Sequence, residues 1–295
     1  MILGKHFYFR EFSFYYECRG DSLQPLVSVV IPTFNRPYFL CELLESLCHQ
    51  TYLHFEVIIV NDQGDSVDFV KTLYPELPIH IIELEQKSYH VMARNEGVKR
   101  AKGEYILLCD DDDLLLPTHI ETMVLEIDGY DLVYSDVEIF HYEIKDQVRI
   151  PTHTFLFAYE YDPAGMRKFS TFVPSGTLYK KSIHETIGYF DPSVSHYWDW
   201  DFFLCVSEHF RVKRVPVASV LYAFSATGHQ SSNPEVMRPY LDRLCEKHQL
   251  GFLPTKNFFL LLEEPEVQKR RAESRRIWDQ KPILSRLVNN KLYSL

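Results

Sequence analysis

The chain has 295 residues, 46% of them hydrophobic and 15% aromatic, and carries a formal charge of −10. That composition excludes a disordered chain and predicts one large globular domain, or one domain with an appendage. The acidic balance excludes a general nucleic-acid binder, whose affinity would rest on a basic surface.

In chain order, residues 1–25 read as an aromatic, irregular arm. Val27–Ile31 is a β-branched strand, followed by the loop Pro32-Thr33-Phe34-Asn35-Arg36-Pro37 and a helix with leucines at helical spacing from Leu40 to Leu47. Phe55–Val60 is the next strand and ends in Asn61-Asp62-Gln63-Gly64-Asp65. A short helix over Ser66–Leu73, a strand over Ile79–Glu83 and a helix over Ser88–Lys102 follow, with Gly103 as the predicted C-cap. Tyr105–Cys109 is a strand, Thr118–Ile127 a helix and Asp131–Ser135 a strand. This alternation predicts an α/β fold with a mostly parallel central sheet flanked by helices.

After about residue 137 the pattern loosens. Val137–Ile150 reads as a hairpin, Thr152–Thr171 as loop, Pro174–Tyr179 as a strand and Ser182–Ile187 as a short helix closed by Gly188. Trp198–His209 is a helix, Phe210–Val217 the last strand, and residues 236–295 a helical C-terminal extension. From Val236 onward 12 Lys/Arg face 7 Asp/Glu, so this extension is net basic within an acidic chain. Its composition suits peripheral contact with anionic lipid or a partner, or an ordinary charged appendage.

Six cysteines are scattered without a CxxC pair, as expected in a reducing cytoplasm. Met1–Arg10 lacks the apolar core and cleavage site of a signal peptide. No apolar run approaches the ~20 residues that cross a bilayer. We expect a cytoplasmic protein, soluble or peripheral to the membrane.

The chemistry concentrates in Asp110-Asp111-Asp112-Asp113, placed where a buried strand ends. Carboxylates this close repel one another, and a hard divalent cation such as Mg²⁺ or Mn²⁺ would neutralise them while bridging to substrate phosphates. A solvated acidic turn is the alternative. In open α/β sheets the ligand crevice lies outside the carboxyl ends of the strands, so Pro32–Arg36, Asn61–Asp65 and Asp110–Asp113 should converge there. No GxGxxG follows the first strand, which argues against a dinucleotide site.

The segments VSVVIPTFNR (27–36), FEVIIVNDQGD (55–65), ARNEGVKRAKGEYILLCDDDDLLLP (93–117) and PSGTLYKKSIHETIGYFDP (174–192) resemble those of family 2 glycosyltransferases with a GT-A fold. The resemblance spans roughly residues 26–230 and implies a GT-A domain over 26–235, with a nucleotide-binding half at 26–136 and an acceptor-binding half at 137–235. It implies an inverting transfer of one sugar from a nucleotide diphosphate sugar, expected to be a UDP-sugar, to a hydroxyl of a glycan, lipid-linked or protein acceptor. Surface glycan or polysaccharide assembly is the usual setting of such members.

Carried over position by position, Pro32, Thr33, Phe34, Asn35 and Arg36 resemble the loop that holds the base, and Asp62 the aspartate that accepts from its ring. Arg94 matches an arginine near the nucleotide. Asp110 and Asp112 match the DxD motif, Asp112 as the direct metal ligand and Asp111 at the variable position beside the nucleotide. His229 falls where related enzymes close a loop over the donor, a further candidate ligand. Asp199 takes the place of the general base, with Trp198 where a glutamate is usual. A sugar nucleotidyltransferase would want a Gly- and Lys-rich first loop, and a non-catalytic glycan- or partner-binding module on this fold is the other alternative.

Overall fold

The computed structural model describes residues 24–224 and 234–288. Nearly all of the expected N-terminal arm, and His229, lie outside the described residues.

The sheet is laid down from its centre. Strand β1 (Val27–Thr33) is buried along its whole length, as a Val/Ile-rich run covered on both faces should be. The Pro-initiated helix α1 (Pro37–Cys48) leads to β2 (Phe55–Asn61), and α2 (Phe69–Leu73) leads to β3 (Ile79–Glu83). Helix α3 (Tyr89–Arg100) then returns the chain to β4 (Tyr105–Leu108) on the other side of β1. These four strands are parallel neighbours. Next come β5 (Leu114–Leu115), α4 (His119–Glu126), β6 (Leu132–Lys145) and β7 (Val148–Phe157).

Beyond the hairpin lie α5 (Pro163–Met166), β8 (Thr177–Lys180), α6 (Ile183–Ile187), a 3-10 turn over Pro192–Tyr197, α7 (Trp198–His209) and β9 (Val212–Phe224). The extension contains α8 (Pro234–Lys247), α9 (Phe258–Leu262), α10 (Pro265–Gln268) and β10 (Arg275–Arg276). The strand order is β10-β9-β6-β8-β4-β1-β2-β3, with β8 antiparallel to both neighbours and the rest of that path parallel. Alternate residues of β1 and β2 feed two cores. Val29, Ile31 and Val57 meet α1, α2 and α4 on one face, while Val30, Ile58 and Val60 meet α3 and α7 on the other.

Several boundaries differ from expectation for local reasons. Helix α3 closes at Ala101, not Gly103; Gly103 instead lies against β1, its amide donating to Ser28 Oγ at 2.8 Å. The predicted strand Asp131–Ser135 and the first arm of the predicted hairpin are one continuous strand, β6, with register shifts around Asp136 that hid its continuity. The hairpin turns on Asp146 (φ 50) and Gln147 (φ 65), and β7 extends to Phe157, taking up the start of the expected loop. The pair of positive φ values matches a hairpin twist.

The C-terminal extension is helical only in part. After α10 the chain runs extended, adds β10 to the outer edge of β9 and crosses to α2. Three of its arginines bond the rest of the domain. Arg276 bonds Glu138 and Thr154, Arg286 bonds Glu76 and lies 3.4 Å from Glu45, and Arg270 bonds Thr171. Among the described residues no helix is long and apolar enough to cross a membrane.

Candidate active site

The parallel strands β1, β2 and β4 deliver the loops after them to one edge of the sheet. The loop after β1 is tied to the loop after β4: Thr33 Oγ1 donates to Asp111 Oδ2 at 2.7 Å, and Arg36 Nη1 to Asp111 Oδ1 at 3.2 Å and Asp112 Oδ2 at 2.8 Å. Asn35 has φ 53, and its Oδ1 accepts the amide of Asp65 at 2.7 Å, joining the loops after β1 and β2. A Cβ on Gly64 would lie 2.8 Å from both Asn35 Oδ1 and Asn61 Oδ1, so a larger residue would displace the two asparagine side chains that join these loops. Pro32 is the penultimate residue of β1 and wholly within the sheet.

Asp62 directly follows β2, with its carboxylate at the start of α3, accepting the amides of Ser88 (2.6 Å) and Tyr89 (2.9 Å). The expectation that it meets a base is therefore narrowed to the lone pairs these amides leave, for a carboxylate has about four acceptor sites. Beside it, Gln63 Oε1 accepts the amide of Lys87 at 2.9 Å, and the Lys87 ammonium sits 2.7 Å from the centre of the Phe34 ring, itself 40% exposed. Sequence reasoning missed Lys87, which belongs to no motif and is brought in by the backbone before α3.

The carboxylates divide their work. Ligand atoms of Asp110, Asp112 and Asp113 lie within 4.8 Å of one another. Asp111, in contrast, turns to Thr33 and Arg36 and braces the first loop. Asp113, expected only to follow the motif, joins the group: one oxygen accepts the Ala223 amide at 3.1 Å and Oδ2 is buried with no hydrogen bond of good geometry among the described residues. Burial, then Asp112, pushes the Asp111 carboxyl up to about 7; burial, then the charges of Asp112 and Asp110, hold Asp113 well above the carboxylate range. Burial raises Asp112 as well, against the opposing pull of Arg36. Three arginines from separate elements answer this acidity: Arg36, Arg94 and Arg149.

Arg94 on α3 is 3% exposed; it bonds Asp110 and donates to the His90 carbonyl at 3.0 Å. Its guanidinium lies 4.2 Å from the centre of the Trp198 ring. Burial and the neighbouring Arg94 lower the His90 imidazole to about 4, leaving it neutral near pH 7. Asp199 stands half-buried in the first turn of α7, within electrostatic reach of Arg94 and Asp110, and burial raises its carboxyl to about 6 although the amides of Trp200 and Asp199 favour the charged form. Asp201 points elsewhere, accepting from Lys247 (2.9 Å) and His248 (2.7 Å). A cavity of about 410 Å³ along the β3 edge, with Glu56 and His80 in its wall, contains none of these residues.

The family model for glycosyl transferase family 2 matches residues 28–188, more than half of the chain. The chain belongs to glycosyl transferase family 2. Among relatives of this glycosyltransferase, the uncharacterized glycosyltransferase YwdF of Bacillus subtilis (strain 168) is 56% identical over 263 residues, covering 88% of this chain and 98% of the relative. Among solved structures, S. aureus TarS 1-349 in complex with UDP-GlcNAc aligns with a TM-score of 0.62 at 20% identity, over 83% of this chain and 78% of that one. The mannosyltransferase PcManGT from Pyrobaculum calidifontis, in complex with GDP-Man and Mn²⁺, aligns at 0.53 and 16% identity, over 82% and 76%. The glycosyltransferase thus has the GT-A fold its sequence resembled.

Proposed function

We propose that this glycosyltransferase moves a single sugar from a UDP-sugar to an acceptor hydroxyl with inversion, in a reaction that depends on Mn²⁺ or Mg²⁺. The observation that carries the reading is the convergence of Asp110, Asp112 and Asp113, with the buried, poorly partnered Oδ2 of Asp113 among their oxygens. An all-oxygen donor set of this charge suits a hard divalent cation. Bound there, the cation supplies Lewis-acid neutralisation of the departing diphosphate. The solved complexes of TarS with UDP-GlcNAc and of PcManGT with GDP-Man and Mn²⁺ support a nucleotide-sugar donor and a cation on this fold.

The chain's own residues hold and orient the reactants. Phe34 and Lys87 offer a stacking face for the base, and the loops after β1 and β2 close around it. Asp110 fixes the Arg94 guanidinium beside the crevice, where it balances the acidic turn. Asp199, ionised above about pH 6, accepts the proton of the acceptor hydroxyl at its carboxylate as that oxygen attacks. One in-line displacement requires no covalent sugar–enzyme intermediate.

The acceptor is a glycan, lipid-linked or protein hydroxyl, consistent with surface glycan assembly on the cytoplasmic side of a membrane. Gln268 is followed by Arg271-Ala272 and not by the QxxRW of processive members, which supports addition of one sugar at a time. The test is transfer or donor hydrolysis with Mn²⁺ across a panel of UDP-sugars; no turnover and no UDP binding would reject the reading. A second reading, a non-catalytic binding module, is favoured by Trp198 standing where a glutamate is usual. Asp199→Asn separates the two: a general base loses transfer while UDP and cation binding persist.

A further inference from the structure

Arg149 lies on β7, in the half of the sheet away from the nucleotide loops, yet its side chain reaches the acidic turn. It is 3% exposed, and its Nε donates to Glu42 Oε2 of α1 at 2.5 Å. Its Nη1 donates to the main-chain carbonyl oxygen of Asp112 at 2.6 Å. The rings of Phe39, Tyr142 and Phe140 surround the guanidinium at 4.8, 5.3 and 5.4 Å. Nη2 has no hydrogen-bond partner among the described residues.

Burying a guanidinium is costly unless it is paired and hydrogen-bonded. Here the compensation comes from one carboxylate, three rings and one carbonyl, and that carbonyl belongs to the residue whose carboxylate joins the cation group. Turning the Asp112 peptide would leave a second buried N–H without a partner beside Nη2. The Asp112 side chain is thereby held in direction from behind. The C-terminal strap closes the rear of this arrangement: Trp278 packs its ring edge on Phe140 at 5.5 Å and, with Lys281 and Ile283, walls the space beside Glu42 and Arg149.

We propose that Arg149 is a positioning residue for the acidic turn, setting its affinity for a divalent cation through the Asp112 peptide, with Trp278 keeping the Glu42–Arg149 pair dry. The inference rests on the cation reading above. It makes the β6–β7 hairpin and the C-terminal strap parts of the donor site, although neither touches the donor.

The test is calorimetric titration of Mn²⁺, alone and with UDP present, into the full chain and three variants. Glu42→Leu/Arg149→Met removes both buried charges together, so neither is left unpaired. Arg149→Lys keeps the charge but cannot reach Glu42 and the carbonyl at once. We expect the double variant to bind Mn²⁺ about tenfold or more weakly, the size of effect seen when residues supporting a metal ligand are removed, with Arg149→Lys in between. Should the double variant not fold, Trp278→Ala, which leaves both charges in place, carries the test in the same direction. Wild-type binding with unchanged affinity in the folded variants overturns the inference alone. Absence of Mn²⁺ binding by the wild type both alone and with UDP present overturns the cation reading and the inference with it.

Discussion

The Arg94 guanidinium lies 4.2 Å from the centre of the Trp198 ring while one of its nitrogens bonds Asp110. A residue of α3, the first of α7 and the turn after β4 therefore form one unit. Trp198 also meets Phe190 edge-on at 4.9 Å and His90 at 6.4 Å, so the aromatic residue that replaces the usual glutamate is a wall of the site as well as core. A carboxylate here would compete with Asp110 for Arg94; the indole holds the guanidinium without that competition.

Arg94→Lys tests this unit. A lysine keeps the charge but cannot bond Asp110, bond the His90 carbonyl and stack on Trp198 together. We expect kcat/KM for the donor to fall about tenfold or more, equivalent to about 1.4 kcal/mol of transition-state stabilisation, in variant protein that remains folded at the assay temperature. Trp198→Ala should instead lower stability by about 3–5 kcal/mol, read by denaturant titration, because the ring is 5% exposed in the core.

The base role proposed for Asp199 carries a pH dependence with it. With its carboxyl raised to about 6, transfer should be half-maximal near that pH and level off above it. Asp199→Asn should remove this limb and lower the rate by about 10²–10⁴, the usual contribution of a general base, with UDP binding retained. Stability has the opposite sign. A carboxyl raised by burial contributes fully below its unfolded value of 3.8 and loses that contribution as pH rises through about 6. The Asn variant should therefore melt higher than wild type near neutral pH and equally at low pH, by scanning calorimetry.

The four aspartates are not equivalent. Asp113→Ala should weaken Mn²⁺ binding as much as Asp112→Ala does. Asp111→Ala should leave Mn²⁺ binding largely intact, since Asp111 faces Thr33 and Arg36, but should raise the KM for the donor by loosening the first loop. Titration of Mn²⁺ into each variant, alongside donor kinetics, checks both statements.

The framework of this site was legible because it is local. Strands expected to end at Ile31, Val60 and Cys109, where apolar runs meet polar loops, end within two residues of those positions, at Thr33, Asn61 and Leu108, and parallel pairing then forces the loops together. What stayed hidden was long-range. Nothing in the spacing of Asp110–Asp113 tells which carboxylate turns toward Thr33 and which toward Ala223. Lys87 and Arg149 belong to no motif; each arrives through backbone geometry far from the residues it serves. Asp62 reads as a free acceptor in sequence, but the amides of Ser88 and Tyr89 claim it. The extension reads as helix from its charge and leucines, yet Arg276 and Arg286 find acidic partners in Glu138 on the sheet, Glu45 on α1 and Glu76 after α2, and extended chain reaches them best.

The Phe34 ring, stacked under Lys87, is the expected platform for the base. Phe34→Ala should weaken UDP binding by about 1–3 kcal/mol, the usual worth of base–aromatic stacking, and should weaken GDP binding similarly because stacking does not discriminate bases. Calorimetry with both nucleotides reads the effect.

Calorimetric titration of UDP, with Mn²⁺ and with chelator, into the wild type and an Asp110→Ala/Asp112→Ala variant tests the cation-held diphosphate most directly. We expect UDP to bind the wild type with Mn²⁺ and to lose most of that affinity with chelator or in the variant. Equal UDP affinity under all of these conditions would contradict a donor held through a cation on this turn.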